Sequence, residues 1–185
     1  MARRNRATPW GDLVAQPWRG DWTGNRSRWQ WICCRLEWKG NRQPPDDPHR
    51  WRPVFFTDEA CALAAGHRPC FACRREDAAR FVGGRPLADV DAAIRRERRQ
   101  RPAVDPATLP DGAMVERDGG AWLVWGRRLH RWAGEGYDRV VPLGPGSRAL
   151  LLTPATTVEL LRAGYRPQVR VSRPPGPGRP PSPST

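Results

Sequence analysis

Between residues 113 and 125, two largely apolar stretches, Ala113-Met114-Val115-Glu116-Arg117 and Ala121-Trp122-Leu123-Val124-Trp125, flank the pair Asp118-Gly119. Asp-Gly takes the left-handed backbone that a two-residue turn between twisted strands needs, so this stretch predicts a β-hairpin. Leu129 to Trp132 would add a third strand, and Leu150-Leu151-Leu152 reads as a short buried one. In the first half, the run WQWICCRLEW from Trp29 to Trp38 predicts a strand ending at the turn signal Lys39-Gly40-Asn41. Arg52 to Phe56 predicts a second strand, after a proline-rich loop that holds Asp46, Asp47 and His49.

The helical signals are short. Thr57 reads as an N-cap, with Asp58 and Glu59 placed to suit the helix dipole and Gly66 as the terminator after Ala65. A second helix is expected from Arg74 to Val82, stopped by Gly83-Gly84. An amphipathic third runs from Ala88 to Arg99 with Val90, Ala93 and Ile94 on its apolar side. Thr153-Pro154 leads a last helix through Leu161. Leu63-Ala64-Ala65-Gly66-His67-Arg68-Pro69 is echoed by Leu161-Arg162-Ala163-Gly164-Tyr165-Arg166-Pro167, one helix-ending device used twice. The pattern divides the chain into a basic Trp- and Arg-rich arm at 1–28, a cysteine-bearing region at 29–100, and a hairpin with a terminal helix packed on it at 101–170. A tail at 171–185, ending RPPGPGRPPSPST, is expected to be disordered. The fold class expected is α+β: a small metal-stabilised domain of short antiparallel strands and several short helices.

Composition adds a constraint. The chain has 185 residues and only 38% hydrophobic content, interrupted by 21 prolines and 18 glycines, so its apolar core is modest and a structural metal would help hold it. No apolar run reaches membrane-spanning length and no secretory signal opens the chain, so a reducing cytoplasm is expected. Five cysteines in that setting point to metal ligation rather than disulfides. Net charge is +13, which attracts polyanions. All but one of the 32 basic residues are arginine, Lys39 being the exception, and that skew is also what a G·C-rich coding sequence produces. Arginines among tryptophans near the N-terminus suit phosphate contact with base stacking, whereas Trp29, Trp31 and Trp38 are better read as core.

The chemistry centres on Cys70-Phe71-Ala72-Cys73. Two thiols three positions apart, on a turn that feeds a helix N-terminus, can face one tetrahedral ion and are favoured as thiolates. Cys33 and Cys34 supply a second pair, although neighbours on a regular strand point to opposite faces, so at least one should ligate. His67 is the substitute ligand if only one does. Cys61, inside an alanine-rich helix, reads as a small buried thiol. Arg68, Arg74 and Arg75 flank the turn and, with Arg35, are the candidate contacts to nucleic acid.

The stretch from Phe56 to Cys73, FTDEACALAAGHRPCFAC, resembles the end of the metal-binding domain of the Ada alkylation-response family, and is similar to bacterial proteins with an LAAGHRPC core. The resemblance covers about a tenth of the chain. It implies zinc held by four thiolates, with Cys70 and Cys73 as the second pair and Cys33, partnered by Cys34, nearest the thiolate that takes a methyl group from DNA. In that family three residues separate the first two cysteines, whereas here they are adjacent. The reading that follows is a zinc protein with a nucleic-acid role, DNA favoured, linked to alkylation damage. The alternatives are a stoichiometric alkyl acceptor and a structural, partner-binding protein. Binding is expected over enzymatic catalysis.

Other chemistry is weaker. Asp89, Asp91 and Glu97 read as a solvated helix face with local Arg pairs. His130, near Arg131, Trp132 and Tyr137, reads as structural.

Overall fold

A computed structural model describes residues 5–7, 9, 13–14, 22–26, 30–35, 37–42 and 52–171. In chain order, β1 (Asn5–Ala7), β2 (Leu13–Val14), β3 (Trp22–Arg26) and β4 (Trp31–Cys34) precede a small ribbon of β5 (Glu37–Trp38) and β6 (Asn41–Arg42). Next come β7 (Arg52–Phe56), helix α1 (Glu59–Ala64), β8 (Arg68–Pro69), and helices α2 (Arg75–Val82) and α3 (Leu87–Glu97). The second half holds β9 (Ala103–Val104), β10 (Met114–Arg117), β11 (Gly120–Trp125), β12 (Arg128–Trp132), β13 (Tyr137–Pro142), β14 (Ala149–Leu151) and α4 (Ala155–Arg162). The fold is α+β, and no helix among the described residues is long and apolar enough to cross a membrane.

The strands form two six-stranded sheets. The first has the order β2-β1-β7-β3-β4-β8, antiparallel except for the parallel pairs β1·β7 and β4·β8. The second, β13-β12-β11-β10-β14-β9, is antiparallel throughout. Its expected hairpin is present: Arg117 pairs with Gly120, and Asp118 (φ 52°) and Gly119 (φ 70°) both take the left-handed backbone of the tight turn. Lys39 and Gly40 make a similar turn, so that signal joins β5 to β6 rather than ending one long strand.

Helix α1 lies between the sheets, and all six of its residues are buried. Val54 and Phe56 of β7 pack on it together with Met114, Ala121, Leu123 and Leu152 of the second half. On β11 the alternation of side chains then decides the rest. Ala121 and Leu123 join the α1 cluster, while Trp122 and Val124 join Phe81, Val90, Ile94, Val158 and Leu161 from α2, α3 and α4. The second sheet is thus covered on both faces. Burying one side chain such as Phe81 stabilises by about 1.5–3 kcal/mol.

Several expectations need correction. The described parts of residues 1–28 are strands of the first sheet rather than an arm; Trp10 and Trp18 lie outside the described residues, as do Trp29, the loop with Asp46, Asp47 and His49, and the tail beyond 171. Asp58, not Thr57, caps α1, its carboxylate accepting from the Cys61 N–H at 3.0 Å. Thr57 instead donates its hydroxyl to the Gly134 carbonyl and accepts from the Trp132 indole. Asp91 and Glu97 are not a solvated face: Asp91 holds Arg68, and Glu97 caps α4 by accepting from the N–H and hydroxyl of Thr156.

Candidate metal centre

The alternation of β4 separates its adjacent cysteines. Ile32 and Cys34 share one face, and Cys33 points to the other, into the α1 cluster. Beside β4 runs β8, an edge strand, where Pro69 leaves no ladder position unfilled. The Cys70 N–H donates to the Cys33 carbonyl at 3.1 Å, which brings the Cys70 turn alongside Cys34. Gly66 makes this approach available. Its φ of +83° ends α1, and a Cβ there would lie 3.0 Å from the Cβ of Arg98.

The sulfurs of Cys34, Cys70 and Cys73 all lie within 4.8 Å of one another, each buried. Tetrahedral thiolates at a zinc–sulfur distance of 2.3 Å sit about 3.8 Å apart, so a small contraction would close the group on an ion. Backbone donors already face two of the sulfurs: the Ala72 N–H is 3.4 Å from Cys70 Sγ, and the Arg35 N–H is 3.4 Å from Cys73 Sγ. Hydrogen bonds from the Cys34 and Cys73 thiols hold Cys70 as the thiolate, its pKa lowered to about 2. The hydrogen bonds that Cys34 makes to Cys70 and Cys73, and then burial, push its own thiol up. The three cysteines can therefore hold a metal ion. Among the described residues no further His, Cys, Asp or Glu joins them.

The structure does not bring Cys33 or His67 to this group. Cys33 is fully buried, and desolvation pushes its thiol up, which does not suit an alkyl-accepting thiolate. The His67 ring packs against Phe56 and Trp31, with centroids 4.7 and 5.1 Å away. Cys61 is buried near Asp58 and the Tyr137 hydroxyl.

Two of the four candidate arginines are turned inward. Arg68 makes a two-pronged pair with Asp91 at 2.6 and 2.9 Å and donates to the Pro69 carbonyl. Arg74 is buried between Glu59, at 2.7 Å, and Asp77, at 3.0 Å. Neither is placed to meet an external phosphate. Arg35 and Arg75 are exposed beside the cysteine group.

Sequence reasoning placed Asp58 and Glu59 at the start of α1 to suit the helix dipole but missed that both carboxylates are buried. Asp58 accepts from the Tyr137 hydroxyl at 2.8 Å and the Arg170 N–H at 3.1 Å; burial pushes its pKa up, and these bonds oppose that rise. Glu59 accepts from the Tyr165 hydroxyl at 2.6 Å and the Gln168 N–H at 2.9 Å, so residues 165–171 are strapped over the helix. A signal was present. A helix reading Ala-Cys-Ala-Leu-Ala has no polar face, so acids in its first turn must be buried and paired.

Compared with known proteins, the chain matches no family model, no curated protein and no solved structure.

Proposed function

We propose that this protein is a zinc-stabilised nucleic-acid-binding module in which Cys34, Cys70 and Cys73 hold the ion as thiolates. The observation that carries the reading is the group of three sulfurs within 4.8 Å, two of them facing backbone N–H donors. Zinc fits because it takes thiolates in a tetrahedral shell and has no redox chemistry to protect in a reducing compartment. Its role is structural: the ion ties the end of β4 to the turn that opens α2. A net charge of +13 supplies attraction to phosphates, and the exposed Arg35 and Arg75 lie next to the centre. Metal analysis of the purified protein should give one zinc per chain, and association with DNA or RNA should weaken steeply as salt rises. Full zinc retention in the Cys70→Ser/Cys73→Ser double variant overturns the site. No salt-sensitive association with either nucleic acid overturns the role and moves a partner-binding reading ahead.

One observation favours a second reading, a stoichiometric alkyl acceptor. The group has three sulfurs and no fourth donor among the described residues, so a bound zinc would keep an open position, as reactive rather than closed sites do. Cys34, rather than the sealed Cys33, would occupy the position that the Ada resemblance gives to the acceptor. Its sulfur would attack a methyl carbon, form a thioether and expel the phosphate diester as leaving group. Treating the zinc-loaded protein with a methylated phosphotriester DNA and weighing it intact decides this. A one-methyl increment lost in Cys34→Ser supports the acceptor, and an unchanged mass leaves the structural role.

A further inference from the structure

The last turn of α3 and the residues after it read Arg95-Arg96-Glu97-Arg98-Arg99. Arginines on a helix are usually matched by acids one turn away. Here those acids are committed elsewhere. Asp91, one turn before Arg95, gives both oxygens to Arg68. Glu97 gives both to Thr156, at 2.7 and 2.8 Å. Among the described residues, no ion pair neutralises Arg95, Arg96, Arg98 or Arg99. A cation near a helix C-terminus gains a little from the dipole, which suits one such residue better than a cluster of four.

Arg98 is held in a defined pose. Its guanidinium carbon lies 3.8 Å from the centroid of the Trp31 ring, and its stem runs against Gly66, where a Cβ would meet it at 3.0 Å. Trp31 packs on His67, so the indole serves to orient a guanidinium rather than to stack a base. A guanidinium lying flat on an indole keeps its N–H donors at the rim, where a planar fork matches the oxygens of a phosphate. Burial, and then repulsion from Arg99 and Arg95, pulls Arg98 below its ordinary pKa. Arg95, Arg98 and Arg99 stand at spacings of three and four and share one side of the turn.

We propose that this turn is where the protein grips the phosphodiester backbone of a nucleic acid, with Arg98 donating to one phosphate and Arg95 and Arg99 to its neighbours. The assignment rests on the nucleic-acid reading above and moves the contact from Arg68 and Arg74 to the end of α3. It also couples the grip to the metal. Trp31 opens β4 and Cys34 closes it, about 10 Å apart at 3.3 Å per residue.

The test measures fluorescence anisotropy of labelled single-stranded DNA, duplex DNA and RNA, titrated with the full zinc-loaded chain across a salt series. The Arg95→Ala/Arg98→Ala/Arg99→Ala variant should lower the slope of log K against log salt by roughly 2 to 3, at 0.7–0.9 per phosphate lost. A control triple on the exposed Arg128, Arg139 and Arg148 removes the same charge elsewhere and should change the slope by less than about 1. Arg95→Gln/Arg99→Gln, which leaves the Arg98–Trp31 stack in place and adds no acid to the helix end, should weaken binding with a nearly unchanged melting temperature, so a folding defect cannot imitate the effect. Equal losses in the two triples overturn the site while leaving nucleic-acid binding standing. No salt-sensitive association of the unaltered protein overturns both.

Discussion

In the second sheet, β10 to β13 lie side by side in the order in which they are made, whereas in the first sheet β1 lies beside β7, and β3 sits between β7 and β4. The second sheet can grow by adding hairpins, and its strands β10 and β11 bury apolar residues on both faces. The first must close long loops before its short strands gain anything, and loop closure costs entropy that a two- or three-residue strand cannot offset. Its residues differ accordingly: three converging cysteines at one edge, a buried Arg74–Glu59 pair beneath it, and Arg68 clamped to α3. The comparison teaches that the half with the poorer apolar core is held by polar bonds that act across long sequence separations.

On the proposed zinc reading, removing the cysteine ligands should break that contrast most visibly. The Cys70→Ser/Cys73→Ser variant is expected to lose stability on the order of 5 kcal/mol, since metal binding and folding are linked. Amide exchange should show protection lost in β4 and β8 and kept in β10 to β12, and simultaneous loss in both sheets would erase the distinction. Next in size, Arg74→Ala leaves Glu59 buried without its cation and should cost about 3–5 kcal/mol by urea unfolding. Leu123→Ala, at the centre of the second sheet, should cost about 2–5 kcal/mol, with zinc content unchanged. An effect of Leu123→Ala on zinc affinity would mean that the sheets report on each other directly. Cutting the chain after Val171 should shift stability by less than about 0.5 kcal/mol, because the Pro-rich sequence beyond it has little apolar surface to bury. Cutting after Gly164 should be far more damaging, since Tyr165, Gln168 and Arg170 all bond the carboxylates of α1.

Legibility followed the same division. The hairpin at Asp118-Gly119 was readable because its signal and its partner strands lie within a dozen residues. The Tyr137–Pro142 strand was missed: its residues are mostly exposed and carry no apolar run. The first sheet was largely hidden, since strands of two or three residues have no periodicity and their partners are remote. Cys70 and Cys73 announced themselves by spacing and turn context. The choice between Cys33 and Cys34 depended on the pairing of β4 with β8, which one strand alone does not reveal. Arg68 and Arg74 look like surface cations in sequence; only the positions of Asp91 and Glu59 make them interior.

The strap formed by residues 165–171 has a consequence for synthesis. Asp58 and Glu59 gain Tyr137 and Arg74 earlier, but their last partners come 106 to 112 positions later in the chain. At elongation rates of about 5–20 residues per second, that interval lasts roughly 5–20 s. Throughout it the start of α1 carries two carboxylates that water solvates better than the unfinished interior would. A nascent chain stalled short of residue 165 would hold α1 at its surface, with the alanine face meant for two sheets open to chaperones and proteases. The final packing of α1 is thus gated by the emergence of residues 165–171.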